Sequence, residues 1–371
     1  MGTHRFACLT ALFLAVMPGA TFIRADEFRQ DVRRDSLVLN GVWLVLPGHA
    51  GAEMWKPSVA HTVAGWQECT VPGSLLVPSG NPDADRAAAV STTGVWARRT
   101  FTVAAEDSRR NAVLKWATIR FGATVWVNGR QVERFVPISP HSVILPAGLL
   151  REGSNEIVLW MPGWAGVEKS ASGYPLTPTG SSTQQWGVKA PGIYGDIWLE
   201  FFDGALVESV LAIPDLRRRS VRFRWDVTAV DTALADFTLS AEVSLREADG
   251  KVGLGQQQIV RTAGTTALRG TLEVPLAVVH PWSPEQPHLY TARLRLAAGG
   301  GRRVCDGIAF EFGMREISVR SGRFFLNGKP LWLRGSNLVN EWRWGDLYNQ
   351  EVKRYLIDEA RAMNLNCFRT H

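Results

Sequence analysis

The side chains that could do chemistry are scattered along these 371 residues. Past the first 25 residues the cysteines are Cys69, Cys305 and Cys367, too widely separated to form a metal-ligand set or a disulfide framework. Cys367 falls in a candidate strand, where a buried, inert thiol is the expected role. No HExxH, Walker loop, GxSxG or GxGxxG occurs, so metal, phosphate-loop, nucleophile-elbow and dinucleotide chemistry have no motif here. Acids gather toward the end, at Glu316, Glu341, Asp346, Glu351, Asp358 and Glu359, and each reads as a solvated helix or loop charge. The 15 tryptophans suit sugar stacking. Trp43, Trp96, Trp126, Trp160 and Trp198 fall within strands, where burial is the expected fate, whereas Trp342 and Trp344 fall in a loop.

The elements that must position such residues belong to a globular, multidomain chain. A hydrophobic content of 46% with 20% charged residues excludes a disordered protein, and the length suits two or three cores. The net charge of +6 invites an anionic partner, but the densest basic cluster, Arg217-Arg218-Arg219, sits between apparent strands as a solvated loop would, and no nucleic-acid motif supports it. Residues 1–25 read as a secretory signal: Arg5 ahead of an apolar run over residues 6–17, then Pro18-Gly19 and small residues for cleavage. That run is too short for a membrane hydrocarbon core of ~30 Å. The expectation is a secreted or periplasmic protein without stable membrane insertion, its oligomeric state open.

From residue 37 to 200 the pattern is one of short strands separated by Gly, Pro, Asn and Ser, with no helical periodicity of useful length. Residues 95–103 alternate, and Asn128-Gly129 between β-branched flanks predicts a two-residue hairpin turn. A sandwich of two antiparallel sheets is the natural solution. Residues 207–309 form a second all-β block of immunoglobulin size, with strand candidates at 221–230, 235–246, 257–260, 267–274 and 289–297. The character then changes. Asn327-Gly328 predicts another hairpin, and Val352, Leu356, Ala360 and Met363 fall on one face of a helix over 350–363 capped by Asn349. With strands at 331–334 and 367–369 this makes one βαβ unit, the opening of a parallel α/β domain.

These residues resemble a known family. Gly94-Val95-Trp96-Ala97-Arg98-Arg99-Thr100-Phe101, Val125-Trp126-Val127-Asn128-Gly129, Gly153-Ser154-Asn155-Glu156-Ile157 and the stretch from Gly192 to Leu199 are similar, in order, to the first-domain strands of glycoside hydrolase family 2. Pro281-Trp282-Ser283-Pro284-Glu285-Gln286-Pro287, Phe312-Gly313-Met314-Arg315, Leu326-Asn327-Gly328-Lys329-Pro330 and Asn366-Cys367-Phe368-Arg369 continue the series. The family contains β-galactosidases, β-glucuronidases and β-mannosidases. The resemblance implies a jelly-roll sandwich of sugar-binding type over 26–205, an immunoglobulin-like sandwich over 206–311, and the incomplete start of a (β/α)8 TIM barrel over 312–371.

It also implies a retaining exo-β-glycosidase with carbohydrate as partner; the residues themselves give no nucleic-acid motif, cofactor motif or metal-site spacing, and metal dependence of the full enzyme stays open. The reaction uses two carboxylates about 5–5.5 Å apart. In the family both are glutamates on later barrel strands, so this chain carries no catalytic residue of its own and is expected to be an inactive N-terminal fragment. Arg369 matches the arginine that ends the second barrel strand and holds the nucleophile ionised, as a fixed guanidinium does for a neighbouring carboxylate. Asn337, just after strand one, matches a position near substrate, Trp342 and Trp344 stand on the sugar-binding face, and Gln185 and Trp186 correspond to a loop that reaches the pocket. Val339 replaces a histidine, and His371 lies two residues rather than three beyond the arginine. Both departures turn the reading toward a mannosidase-like or separate subgroup. The alternative is a non-catalytic carbohydrate-binding or interaction protein built from two sandwiches.

Overall fold

The structure, a computed structural model, describes residues 34–49, 51–135, 140–167, 190–246, 250–338 and 350–370. The expected signal over residues 1–25 lies outside them. The fold is mostly β and multidomain.

The first sandwich faces a six-stranded sheet against a four-stranded one. The six-stranded sheet runs in the order Gln67–Val71, Gly41–Pro47, Gly94–Val103, Gly153–Pro162, Ala123–Val127, Arg130–Phe135. The four-stranded sheet runs Ser36–Val38, Ile197–Phe202, Asn111–Trp116, His141–Leu145. Trp43, Trp116, Leu114, Leu159 and Ile197 fill the space between, essentially without solvent exposure. Gly94–Val103 departs from simple alternation because both of its faces are covered. Val95 and Ala97 face the sandwich core, while Trp96 lies on the outer face against Trp126 and Trp160, with ring centroids 5.4 and 5.3 Å away. Ala52 and Ala60 pack on that tryptophan cluster. Gly94 must be glycine, because a Cβ there would lie 2.3 Å from the Trp160 ring and 2.8 Å from the Met161 carbonyl.

Two helices stand where the sequence pattern suggested none. Pro57–Thr62 is a short helix that buries only Pro57 and Ala60, and Pro82–Ser91 is mostly exposed with Ala89 its one buried side chain, so neither carries an apolar stripe long enough to read. The local signal lay at the start of the second: Asn81 accepts hydrogen bonds from the Asp83 and Ala84 amides, with Pro82 at the first helical position.

The Asn128-Gly129 turn adopts the expected left-handed pair, φ 49° and 78°. Asn128 does more than turn the chain. Its side chain donates to the Leu149 carbonyl and to buried Asn155, and accepts from the Glu156 amide, tying the hairpin to the neighbouring strand. Asn327 repeats the device, donating to the Trp282 carbonyl and accepting from the Glu316 amide.

The second sandwich packs Ala205–Asp215, Ser220–Ala229 and Ala267–Pro275 against Lys251–Val260, Asp236–Leu245, Tyr290–Ala298 and Arg303–Phe312. Phe223, Trp225, Phe237 and Tyr290 dominate its core. Lys251–Val260 is longer than its sequence signal because Gly253 and Gly255 break the pattern. A Cβ at either would come within 2.7 Å of Leu276 or Val274, so the strand of the opposite sheet closes directly over its backbone. Arg217 to Arg219 occupy an exposed turn, as expected.

Beyond the sandwiches, Ile317–Arg320, Arg323–Leu326 and Lys329–Leu331 form a small antiparallel sheet. Gly335–Leu338 then pairs in parallel with Cys367–Thr370, and the helix Gln350–Ala362 lies between them in sequence. The parallel strand therefore begins at Gly335, not at residue 331. The cause is Asn366: its side chain accepts from the Arg334 amide and donates to the Trp332 carbonyl, occupying groups a longer ladder would have used. Met363 is also displaced from the expected helix face. It lies past the last helical residue, 65% exposed, while Ala360 is buried and Val352 and Leu356 half-buried. Asn364 takes the left-handed position that ends the helix, φ 60°. Among the described residues no helix is long and apolar enough to cross a membrane.

Candidate functional site

The parallel pair sets the geometry of the candidate site. Register places Asn337 directly opposite Arg369, each the third residue of its strand, so Asn337 lies inside the strand rather than just after it. Both side chains are exposed, and the Arg369 Nη1 approaches the Asn337 Oδ1 at 3.5 Å, a long contact. The entry to both strands is firmer. The Arg334 Nε donates to the Asn364 carbonyl at 2.7 Å and its Nη2 to the Asn364 Oδ1 at 3.0 Å, while the Asn366 amide donates to the Arg334 carbonyl. Chemically, the pair offers a planar cationic fork beside an amide oxygen at the ends of parallel strands. Such a fork suits a carboxylate, which it can bind through two donors at once.

Trp342, Trp344, Gln185, Trp186, Asn349, Val339 and His371 lie outside the described residues. Glu351, Asp358 and Glu359 are exposed on the helix, as expected, and Glu316 is half-buried beside Asn327. Cys367 is half-buried rather than buried; the buried thiol is Cys305, which burial pushes up to about 11, leaving it protonated at neutral pH. Among the described residues no cluster of His, Cys, Asp and Glu could hold a metal ion.

A second assembly of charge, absent from the sequence reading, joins the two sandwiches. The Arg34 Nε and Nη2 each donate to one oxygen of Asp306 at 2.7 Å, its Nη1 reaches Glu200, and Nη2 also donates to the Val207 carbonyl. Asp306, whose side chain is fully buried, further accepts from the Val207 and Gly307 amides. Burial pushes its carboxyl up and these donors oppose it; four donors on two oxygens fit only the carboxylate form. Burial likewise acts to raise Glu200, but hydrogen bonds from Lys115, Trp198 and Arg34 bring it down to about 2. Trp198 corrects an expectation. It lies on the outward face of Ile197–Phe202, half-exposed, instead of in the core with Ile197 and Leu199. Its neighbour two residues on, a charged Glu200, was the available signal, since alternation puts both on one face. The Arg34–Asp306 pair spans 272 residues and left none.

The sequence model described as glycosyl hydrolases family 2 matches residues 206–315. A β-galactosidase of Klebsiella pneumoniae strain 342 is 28% identical over 278 residues, covering 70% of this chain and 24% of the relative. Among solved structures, a glycosyl hydrolase family 2 member from Bacteroides cellulosilyticus superposes with a TM-score of 0.70 at 18% identity, covering 90% of this chain and 44% of that one. A β-D-mannosidase from Dictyoglomus thermophilum gives 0.66 at 18% identity, covering 90% and 44%. The chain thus spans about a quarter of the length of the curated relative.

Proposed function

We propose, for a chain that belongs to glycosyl hydrolases family 2, that it is the exported N-terminal part of a retaining exo-β-glycosidase acting on terminal β-linked sugars. The domains are a jelly-roll sandwich over 26–205, an immunoglobulin-like sandwich over 206–311, and over 312–371 the first βαβ unit of a catalytic barrel. The single observation that carries the barrel reading is the parallel register of Asn337 with Arg369. Active sites of such barrels gather at the C-terminal ends of the strands, and that is where both residues stand. Arg369 is the group that orients and keeps ionised a carboxylate nucleophile, and Asn337 a substrate-side hydrogen-bonding group. Trp342, Trp344, Gln185 and Trp186 complete the sugar pocket in this reading. Both glutamates of the double-displacement mechanism lie on later strands, so the 371-residue polypeptide by itself is without turnover.

The test has two arms. The polypeptide is assayed against a panel of nitrophenyl β-D-galactoside, β-D-mannoside and β-D-glucuronide, and no release above buffer is expected. The product of the reading frame extended past His371 is then assayed with and without Arg369→Gln. A fall of at least about 100-fold in kcat with the pH optimum displaced is expected, from loss of the charge that holds the nucleophile ionised. Burst release by the short polypeptide, or wild-type kcat in the Arg369→Gln enzyme, overturns the proposal.

A further inference from the structure

The two sandwiches meet at a cleft of 520 Å³ lined by Arg34, Ser36, Trp198, Glu200 and residues 307–309. Its composition is unusual for a junction. The floor is a half-exposed indole whose orientation is fixed, because the Trp198 Nε1 donates to the Glu200 Oε1 at 2.8 Å. Among the described residues no other aromatic ring lies against that indole. Glu200 is held from behind by the Lys115 ammonium at 2.8 Å and by Arg34, so its carboxylate cannot swing away. Among the described residues its Oε1 accepts one hydrogen bond, from Trp198, and an ionised carboxylate oxygen can accept more. Ser36 pairs across the strands with Glu200 and is exposed, and its hydroxyl makes no hydrogen bond among the described residues. The opposite wall is the edge of Arg303–Phe312, the last strand of its sheet.

The charges balance: Arg34 with Asp306, Lys115 with Glu200. An ionic ligand would therefore bring an uncompensated charge beside a neutralised network. A flat apolar face flanked by rigid hydrogen-bonding groups, with no net charge, matches a neutral pyranose ring. Such a ring presents C–H groups on one face and hydroxyls around its edge. We propose that this cleft binds a neutral pyranoside, stacked on Trp198 and hydrogen-bonded through its hydroxyls to Glu200 and Ser36. The site needs nothing from Arg369 and goes beyond the barrel reading, so either can fail without the other.

The test uses the full 371-residue chain labelled with 5-fluorotryptophan, read by fluorine NMR, with the Trp198 resonance assigned by its loss in Trp198→Phe. Methyl β-D-galactopyranoside, methyl β-D-mannopyranoside and methyl β-D-glucopyranoside are titrated, with D-glucuronate as the charged probe. At least one neutral glycoside is expected to shift that resonance saturably, with an apparent affinity at least tenfold above that of glucuronate. Ala309→Phe, at an exposed cleft-lining position, fills the space and abolishes the shift. The proposal is overturned if no neutral glycoside moves the resonance, if glucuronate binds as well, or if Ala309→Phe leaves the titration unchanged.

Discussion

Replacing Arg34 by methionine keeps most of the aliphatic stem and removes the cation. Asp306 then retains the Val207 and Gly307 amides but loses both guanidinium donors, at a site where its side chain has no solvent exposure. Breaking a buried pair by removing one partner costs about 3–5 kcal/mol, because the surviving charge is neither hydrated nor compensated. For domains of this size about 1 kcal/mol moves Tm by roughly 2–4 °C, so calorimetry should record a drop on the order of 10 °C. Asp306→Asn tests the origin of that loss. The amide oxygen can still accept from a backbone amide, and Arg34 keeps Glu200, so this variant should cost about 2 kcal/mol. The double variant Arg34→Met/Asp306→Asn has no stranded charge and should be more stable than Arg34→Met alone, despite losing more polar groups. A coupling energy of at least about 2 kcal/mol is expected from the cycle. Additive losses, or an Arg34→Met cost below about 1 kcal/mol, would refute the claim that the junction is held by mutual neutralisation.

Two further outcomes follow from the same contacts. Glu200 is lowered from 4.5 to about 2 in the folded chain, so its contribution is fully present above about pH 4.5 and is lost as pH falls toward 2. At about 1.4 kcal/mol per pH unit this is about 3 kcal/mol before solvent screening, and about 1–2 kcal/mol after it for a partly exposed group. Glu200→Gln should flatten the acid limb of a Tm-against-pH curve by that amount; a curve parallel to wild type contradicts the assignment. Gly94→Ala should cost about 1–3 kcal/mol by overpacking, since its Cβ would meet the Trp160 ring at 2.3 Å and carbonyl oxygen at 2.8 Å. The urea midpoint should fall with the m-value unchanged, and a shift under about 0.5 kcal/mol would show that Trp160 is free to move.

Much of the fold was legible because its signals are local. The Asn-Gly turns announce their own left-handed torsions, and the second sandwich alternates cleanly through Phe237, Leu239, Ala241 and Val243. What stayed hidden depends on neighbours distant in sequence. The both-sided burial of Trp96 requires the segment that carries Ala52 and Ala60; the length of Lys251–Val260 depends on Val274 and Leu276 filling the space over its glycines. Asn366 moves the parallel ladder to Gly335 through contacts with Arg334 and Trp332, more than thirty residues back. At the candidate site the residue types at 337 and 369 were readable from family resemblance, but their direct opposition required the register. The outward Trp198 was read as core because strand position alone does not tell which face of a strand is covered.

The junction also has a direction in time. Arg34 leaves the ribosome 166 residues before Glu200 and 272 before Asp306. At roughly 5–20 residues per second, the last interval is on the order of 10–50 s. During it the nascent first sandwich can close its sheets and recruit Glu200, yet the guanidinium fork still lacks the carboxylate that fits it. The final strand of the second sandwich delivers that carboxylate, so the clasp between the two halves sets only after both have been translated.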